Sequence, residues 1–129
     1  MTARHHKPSA PVFLNLSAIR FPIGAIASIA HRLSGVLLLA MLPLLARTLD
    51  QSLRSSQDYE ALLGPSRPLW LSGLLVVITW AATHHLLAGI RHLLLDIGIG
   101  SRLPAARASA WTALLGALLV AAFAAWGLA

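Results

Sequence analysis

Three long apolar stretches, separated by short polar segments, constrain this chain more than any other feature of its sequence. They run from about Phe21 to Leu49, from Leu69 to Ile90 and from Ala108 to Ala129, and the third contains no ionisable side chain. A helix needs about 20 apolar residues to cross a bilayer. The pattern therefore predicts an all-α integral membrane protein with three transmembrane helices, at about 21–49, 69–96 and 108–129, in a single domain spanning 1–129.

The composition agrees with a membrane protein and excludes several kinds of chemistry. Hydrophobic residues make up 57% of the chain and charged residues only 11%, whereas soluble domains are about 25% charged. The formal charge of +6 comes from basic residues that flank the apolar stretches, so we expect a topological role and no nucleic-acid partner. Because cysteine is absent, this polypeptide has no disulfide, no thiolate-bound cluster and no cysteine nucleophile.

Proline and glycine mark where the helices should change or stop. Pro43 lies inside the first span and should bend the helix or end its regular part early. In the segment 50–68, Gly64 and Pro65 are expected to prevent a helix. Gly98 is expected to stop the second helix.

The distribution of charge predicts the topology. Residues 1–20 and residues 97–107 carry basic side chains and no acid, whereas residues 50–68 carry three acids and two bases. The positive-inside rule then places the N-terminal segment 1–20 and the second loop in the cytoplasm. No secretory or transit-like segment precedes the first span, so we expect a multi-pass protein of the bacterial inner membrane.

This topology brings two polar clusters to the same depth. Ser28, His31 and Arg32 lie in the inner half of the first helix, and His85 and His92 lie near the inner end of the second. Ionisable groups at membrane depth are costly and tend to face a bundle interior, a cofactor or a partner. Two clusters that converge by topology alone therefore predict a functional site.

The first cluster suits a quinone. Ser28 and Arg32 are related by i, i+4 and project together. Arginine supplies five fixed donors and keeps its charge, so it favours an oxygen that gains negative charge on reduction. The alternative is that Arg32 extends to the interface and Ser28 hydrogen-bonds its own helix.

The second cluster can hold a flat prosthetic group. His85, Gly89 and His92 share one helix face by i, i+4 and i+7, and the glycine leaves room near the backbone. His84 points about 100° away from His85, so the two cannot face one site. The alternative for each histidine is a hydrogen bond between helices, and Arg91 is expected to be topological.

These residues form two motifs that resemble a known family. Two parts of the sequence resemble the cytochrome b membrane-anchor subunit of succinate dehydrogenase. The first comprises Asn15-Leu16, Ile19-Arg-Phe-Pro22 and the stretch Ala25–Gly35, and the second is His85-x3-Gly-Ile-Arg-His92-x3-Asp96. The resemblance covers nearly the whole chain and leaves residues 1–12 outside. Related chains often carry an aromatic residue at the position of His84, and the spacing to Gly89 and His92 favours His85 as the family's ligand.

The resemblance implies specific roles. His85 would be one axial ligand of haem b, the other histidine coming from a second hydrophobic anchor subunit. His31 and His92 would lie near the haem propionates. Arg32 would lie between the propionates and the quinone, and Ser28 would hydrogen-bond the quinone.

The resemblance also implies partners and a reaction. Succinate would be oxidised on a flavoprotein subunit, and electrons would pass through an iron–sulfur subunit to ubiquinone, linking the tricarboxylic acid cycle to the respiratory chain. This chain would be one part of a larger helical bundle and not catalytic alone. Two alternatives are an anchor of fumarate reductase and, from another class, a small haem-free transporter or scaffold.

Overall fold

The computed structural model describes residues 20–129, and all the regular structure in that range is helical. The helices are α1 (Ile23–Ser52), α2 (Ser56–Leu63), α3 (Leu69–Asp96) and α4 (Leu103–Leu128). By length and composition α1, α3 and α4 can each cross a membrane, which confirms the three predicted spans. The basic residues Arg4 and Lys7 and the motif residues 15–19 lie outside the described residues.

Helix α3 packs against both α1 and α4 and runs antiparallel to each of them. Arg91, near the end of α3, donates a hydrogen bond to the carbonyl oxygen of Ala106 in the first turn of α4. A side chain at Gly24, at the start of α1, would also meet Arg91. At the opposite end Arg67 donates to the carbonyl oxygen of Leu128, the last residue of α4. We call these two ends the Arg91 end and the Arg67 end.

Small side chains form the core of the bundle. Such residues let helix backbones approach closely, which is how helices associate in lipid, where burial of apolar surface gives little drive. Most of the large apolar side chains point outward, and Leu119 and Phe123 are each 70% exposed, whereas Leu71 is buried. The outer surface is therefore suited to lipid or to other membrane helices. The buried alanines are Ala27, Ala81, Ala88, Ala110, Ala113, Ala117 and Ala121.

Gly98 ends α3 as predicted. Its φ of 82° is the left-handed conformation that favours glycine. Its N–H donates to the carbonyl oxygen of Leu95 at 2.9 Å, and the N–H of Ile99 donates to that of Leu94 at 2.8 Å. This pair of bonds is the Schellman motif, which satisfies carbonyls at a helix end.

The expectation that no helix forms within 50–68 is wrong, because the segment contains α2. Ser55 caps this helix by accepting a hydrogen bond from the backbone N–H of Asp58 at 3.0 Å, the usual function of a serine at this position. Gly64 and Pro65 follow the last helical residue. The two breakers therefore end the helix and do not prevent it.

Two helix boundaries also differ from the sequence prediction. Helix α1 ends at Ser52 instead of about residue 49, and its regular structure does not stop early at Pro43, since the surroundings of a membrane helix can compensate the lost hydrogen bond. Helix α4 begins at Leu103, before the apolar stretch. The fixed φ angle of Pro104 suits the first turn of a helix.

The alanine core makes a direct prediction. Ala117 is completely buried on α4, so Ala117→Leu should overpack the bundle and destabilise it by about 1–3 kcal/mol. Ala122→Leu adds the same volume at an exposed position of the same helix and is the matched control. Thermal unfolding of the detergent-solubilised protein measures both. Equal unfolding temperatures for the two variants would contradict this packing.

Candidate functional site

His85 is held by α1 through one ring nitrogen. Its Nδ1 lies 3.1 Å from the carbonyl oxygen of His31 and 3.3 Å from Oγ of Ser34. The Ser34 hydroxyl itself donates to the carbonyl of His31 at 2.8 Å, so both neighbours of Nδ1 can accept. This arrangement favours the tautomer with the proton on Nδ1. It leaves the lone pair of Nε2 without a partner in the described residues.

A glycine on α1 allows this close approach, and a second glycine lies beside the ring of His31. A Cβ added to Gly35 would lie only 2.9 Å from Cε1 of His85, closer than side chains tolerate. A Cβ at Gly89 would lie 3.5 Å from Nε2 of His31. The space beside Gly89, which the sequence suggested for a flat group, is therefore lined by the His31 ring.

Three histidines from two helices come together, and we call His31, His85 and His92 the histidine cluster. The rings of His31 and His85 stack with centroids 4.2 Å apart and an interplanar angle of 15°. The rings of His31 and His92 lie 5.2 Å apart at 48°. All three side chains are half-buried, so each keeps part of its surface for a neighbour.

The histidine cluster is not a self-contained metal site. Within residues 20–129, no group of three or more His, Cys, Asp or Glu side chains is arranged to hold a metal ion. The described residues therefore do not form a complete metal site by themselves. A metal held here would need other ligands from a macrocycle or from another chain.

His84 faces the opposite side of α3 and is completely buried. Its Nδ1 lies 3.3 Å from the carbonyl oxygen of Ala113 and its Nε2 lies 3.4 Å from that of Ala27. Both ring nitrogens are thus engaged within the bundle. Of the two adjacent histidines, only His85 has a ring nitrogen without a partner in the described residues.

Ser28 and Arg32 lie one turn apart on α1 and are available for contacts. Arg32 is exposed and Ser28 is half-buried. Most hydroxyls of the long helices donate to a carbonyl three or four residues earlier, whereas that of Ser28 makes no such bond in the described chain. Those that do are Ser34, Thr48, Ser52, Thr79, Ser109 and Thr112.

Arg91 has a structural contact that sequence reasoning missed. The side chain is 9% exposed, and its Nε donates to Oγ of Ser109 at 3.2 Å while Nη2 donates to the carbonyl oxygen of Ala106 at 3.3 Å. It therefore ties α3 to α4 at the Arg91 end. Ser34 and Gly35 belong to the first motif, but sequence reasoning assigned no role to them. Their contacts with His85 depend on how α1 packs against α3.

A polar concavity of about 660 Å³ lies away from the histidine cluster, at the Arg67 end, between the end of α1 and α2. Acidic and basic side chains line it together, and Arg54 donates to Asp50 at 2.5 Å across its surface. An exposed ion pair of this kind contributes little stability. Nothing in its lining matches the chemistry of the histidine cluster.

Comparison with known proteins identifies the family. A family profile described as "Succinate dehydrogenase/Fumarate reductase transmembrane subunit" matches residues 6–125. The chain belongs to this family. The match spans both motifs and almost all of the three long helices, so the resemblance inferred from the sequence is confirmed.

Individual transmembrane subunits of this family are similar along most of their length. The chain is 37% identical over 106 residues to the succinate dehydrogenase cytochrome b556 subunit of Coxiella burnetii (strain RSA 493 / Nine Mile phase I), covering 79% of this chain and 82% of that protein. It is 31% identical over 119 residues to the subunit of the same name from Paracoccus denitrificans, with 92% and 88% covered. For the Rickettsia felis (strain ATCC VR-1525 / URRWXCal2) subunit of that name the identity is 31% over 114 residues, with 88% and 86% covered.

Proposed function

We propose that this chain is the cytochrome b anchor subunit of a bacterial succinate dehydrogenase, that it supplies one axial ligand to haem b, and that it forms part of the quinone-reduction site. The observation that carries the proposal is the state of His85, whose Nδ1 contacts α1 while Nε2 has no partner within residues 20–129. Histidines that bind metals typically donate their other N–H to a carbonyl or carboxylate. The names of the relatives, all cytochrome b556 subunits, agree with this use.

The residues present fit a haem shared with another subunit. Nε2 of His85 would be the axial ligand from this chain, and a histidine of a second hydrophobic anchor subunit would be the other. Three helices with an alanine core cannot enclose so large a group, and the outward-facing apolar side chains offer surface for further helices. When bound, haem b supplies a one-electron reservoir whose potential depends on its ligands and its burial.

His31 and His92 would support the haem propionates. Both lie within ring-stacking distance in the histidine cluster, and each has ring nitrogens that can donate to a carboxylate. Their position follows from the packing of α1 on α3. They would orient the group and would not carry electrons themselves.

Ser28 and Arg32 would bind the quinone. The Ser28 hydroxyl can donate to a quinone carbonyl because no carbonyl of its own helix takes its proton. Arg32 is exposed on the same helix face and would stabilise the oxygen as negative charge develops on it. Since neither residue is enclosed by this chain, the iron–sulfur subunit and the second anchor would complete the pocket.

The orientation follows from charge. Arg102 and Arg107 flank the start of α4 at the Arg91 end, and the positive-inside rule assigns that end to the cytoplasm. The histidine cluster and Arg32 would then lie in the cytoplasmic half, near an iron–sulfur subunit bound on that side. Succinate would be oxidised on the flavoprotein, and protons for the quinone would come from the cytoplasm.

Arg32→Leu should separate quinone reduction from succinate oxidation. Loss of one charge-assisted hydrogen bond, worth about 1.5–3 kcal/mol, should slow succinate-driven ubiquinone reduction roughly 10- to 100-fold. Reduction of a soluble dye by succinate should be unchanged. Arg47→Leu removes an exposed arginine from the same helix and should leave both activities intact. Wild-type quinone reduction in the Arg32 variant would refute its role.

His85→Leu should change the ligation of the haem iron as well as the activity. Loss of one axial imidazole should abolish the low-spin bis-histidine signal in electron paramagnetic resonance of the oxidised complex. His92→Gln removes a neighbouring imidazole without removing the ligand and should keep that signal. If the His85 variant retains the wild-type low-spin signal, another residue is the ligand.

The family description also includes fumarate reductase, which favours one second candidate: an anchor that serves the reverse reaction. The native quinone distinguishes the two. Menaquinone in the purified complex would favour fumarate reduction, and ubiquinone would favour succinate oxidation.

A further inference from the structure

His84 occupies the centre of the bundle and contacts all three long helices. It belongs to α3, and its two ring nitrogens face carbonyl oxygens of Ala27 on α1 and Ala113 on α4, at 3.4 Å and 3.3 Å. Its ring stacks on that of Trp80, one turn earlier, with centroids 5.8 Å apart and an interplanar angle of 9°. A neutral imidazole carries one N–H, so whichever nitrogen is protonated donates to one of the two neighbouring helices.

Around His84 the core itself offers few directional contacts, and Arg91, two turns later on α3, ties the helix to α4 near its end. The buried residues near His84 are small and include Ala81 and Ala88 on its own helix. Alanine surfaces pack almost equally well when one helix is rotated slightly about its axis, so they do not fix that rotation. His84 and Leu71 are the largest fully buried side chains of α3. Of these two, only His84 has directional contacts, because a buried polar group must find its hydrogen-bond partner.

The rotation of α3 in turn decides where His85 points. Consecutive residues of a helix project about 100° apart, so holding His84 between α1 and α4 directs His85 towards the contact with Ser34 and the backbone of His31. This contact tolerates little displacement, since Gly35 lies so close to the His85 ring that even a methyl group would not fit.

We infer that His84 is a positioning residue for His85: its contacts with the backbone carbonyls of α1 and α4, one of which is a hydrogen bond, and its stack on Trp80 fix the rotation of α3, and thereby the plane and direction of the His85 imidazole. The inference rests on the proposed function, in which His85 binds haem iron. His84 does not touch that group itself. It acts from the opposite face of the same helix.

The test uses the intact membrane complex with His84→Phe and His84→Gln. Phenylalanine keeps an aromatic ring but has no hydrogen-bond donor, whereas glutamine loses the ring and keeps an amide near the position of Nε2, facing Ala27. The g-values of the oxidised low-spin haem report the relative orientation of the axial imidazoles, and the midpoint potential reports their environment. A residue that only aids folding would lower the yield and leave both readings unchanged in the assembled complex.

We expect His84→Phe to shift the largest g-value and the midpoint potential, with unchanged dye-linked succinate oxidation per flavin, and His84→Gln to restore both towards wild type. Trp80→Leu is a second variant that keeps both nitrogens and removes the stack, and it should shift the same readings less. Wild-type g-values and potential in both His84→Phe and Trp80→Leu would overturn the inference, as would an equal shift in His84→Gln and His84→Phe. Absence of a low-spin haem in the wild-type complex would instead overturn the proposed function.

Discussion

The hydrogen bond that joins His85 on α3 to the backbone of His31 on α1 is the interaction on which the site depends. An imidazole placed at membrane depth needs a partner for its N–H, and the carbonyl of His31, 3.1 Å from Nδ1, provides one. This contact requires close helix packing, which explains the small residue at Gly35. It also occupies Nδ1 and leaves Nε2 without a partner in the described residues, so one interaction both stabilises the helix pair and leaves a nitrogen available as a ligand.

Helix α3 carries distinct polar residues on two sides and thereby couples the fold to the site. On one side His85 and His92 join the histidine cluster, and on the other His84 lies between the carbonyls of α1 and α4. Arg91 and Arg67 bind α4 at opposite ends of α3. The alanine core between them brings the backbones together but gives little directional information, so the polar contacts specify how the three helices are rotated.

Much of this architecture could be predicted from the sequence, because apolar length and helical periodicity are local properties. The three spans, the stop at Gly98 and the shared face of His85 and His92 follow from them. The short helix α2, the continuation of α1 past Pro43 and the early start of α4 do not, since capping and tertiary support outweigh simple breaker rules. The partners of His84 and Arg91 were also beyond prediction, because they lie on other helices.

The family is established by similarity along the chain, while the haem and quinone roles are proposals that depend on neighbouring subunits. The most direct measurement is purification in mild detergent through a tag on this chain, followed by a reduced-minus-oxidised absorption spectrum and identification of the co-purifying polypeptides. A b-type haem spectrum, together with a flavoprotein, an iron–sulfur protein and a second small membrane protein, is the predicted result. An eluate with neither haem nor flavoprotein would contradict the proposed anchor function.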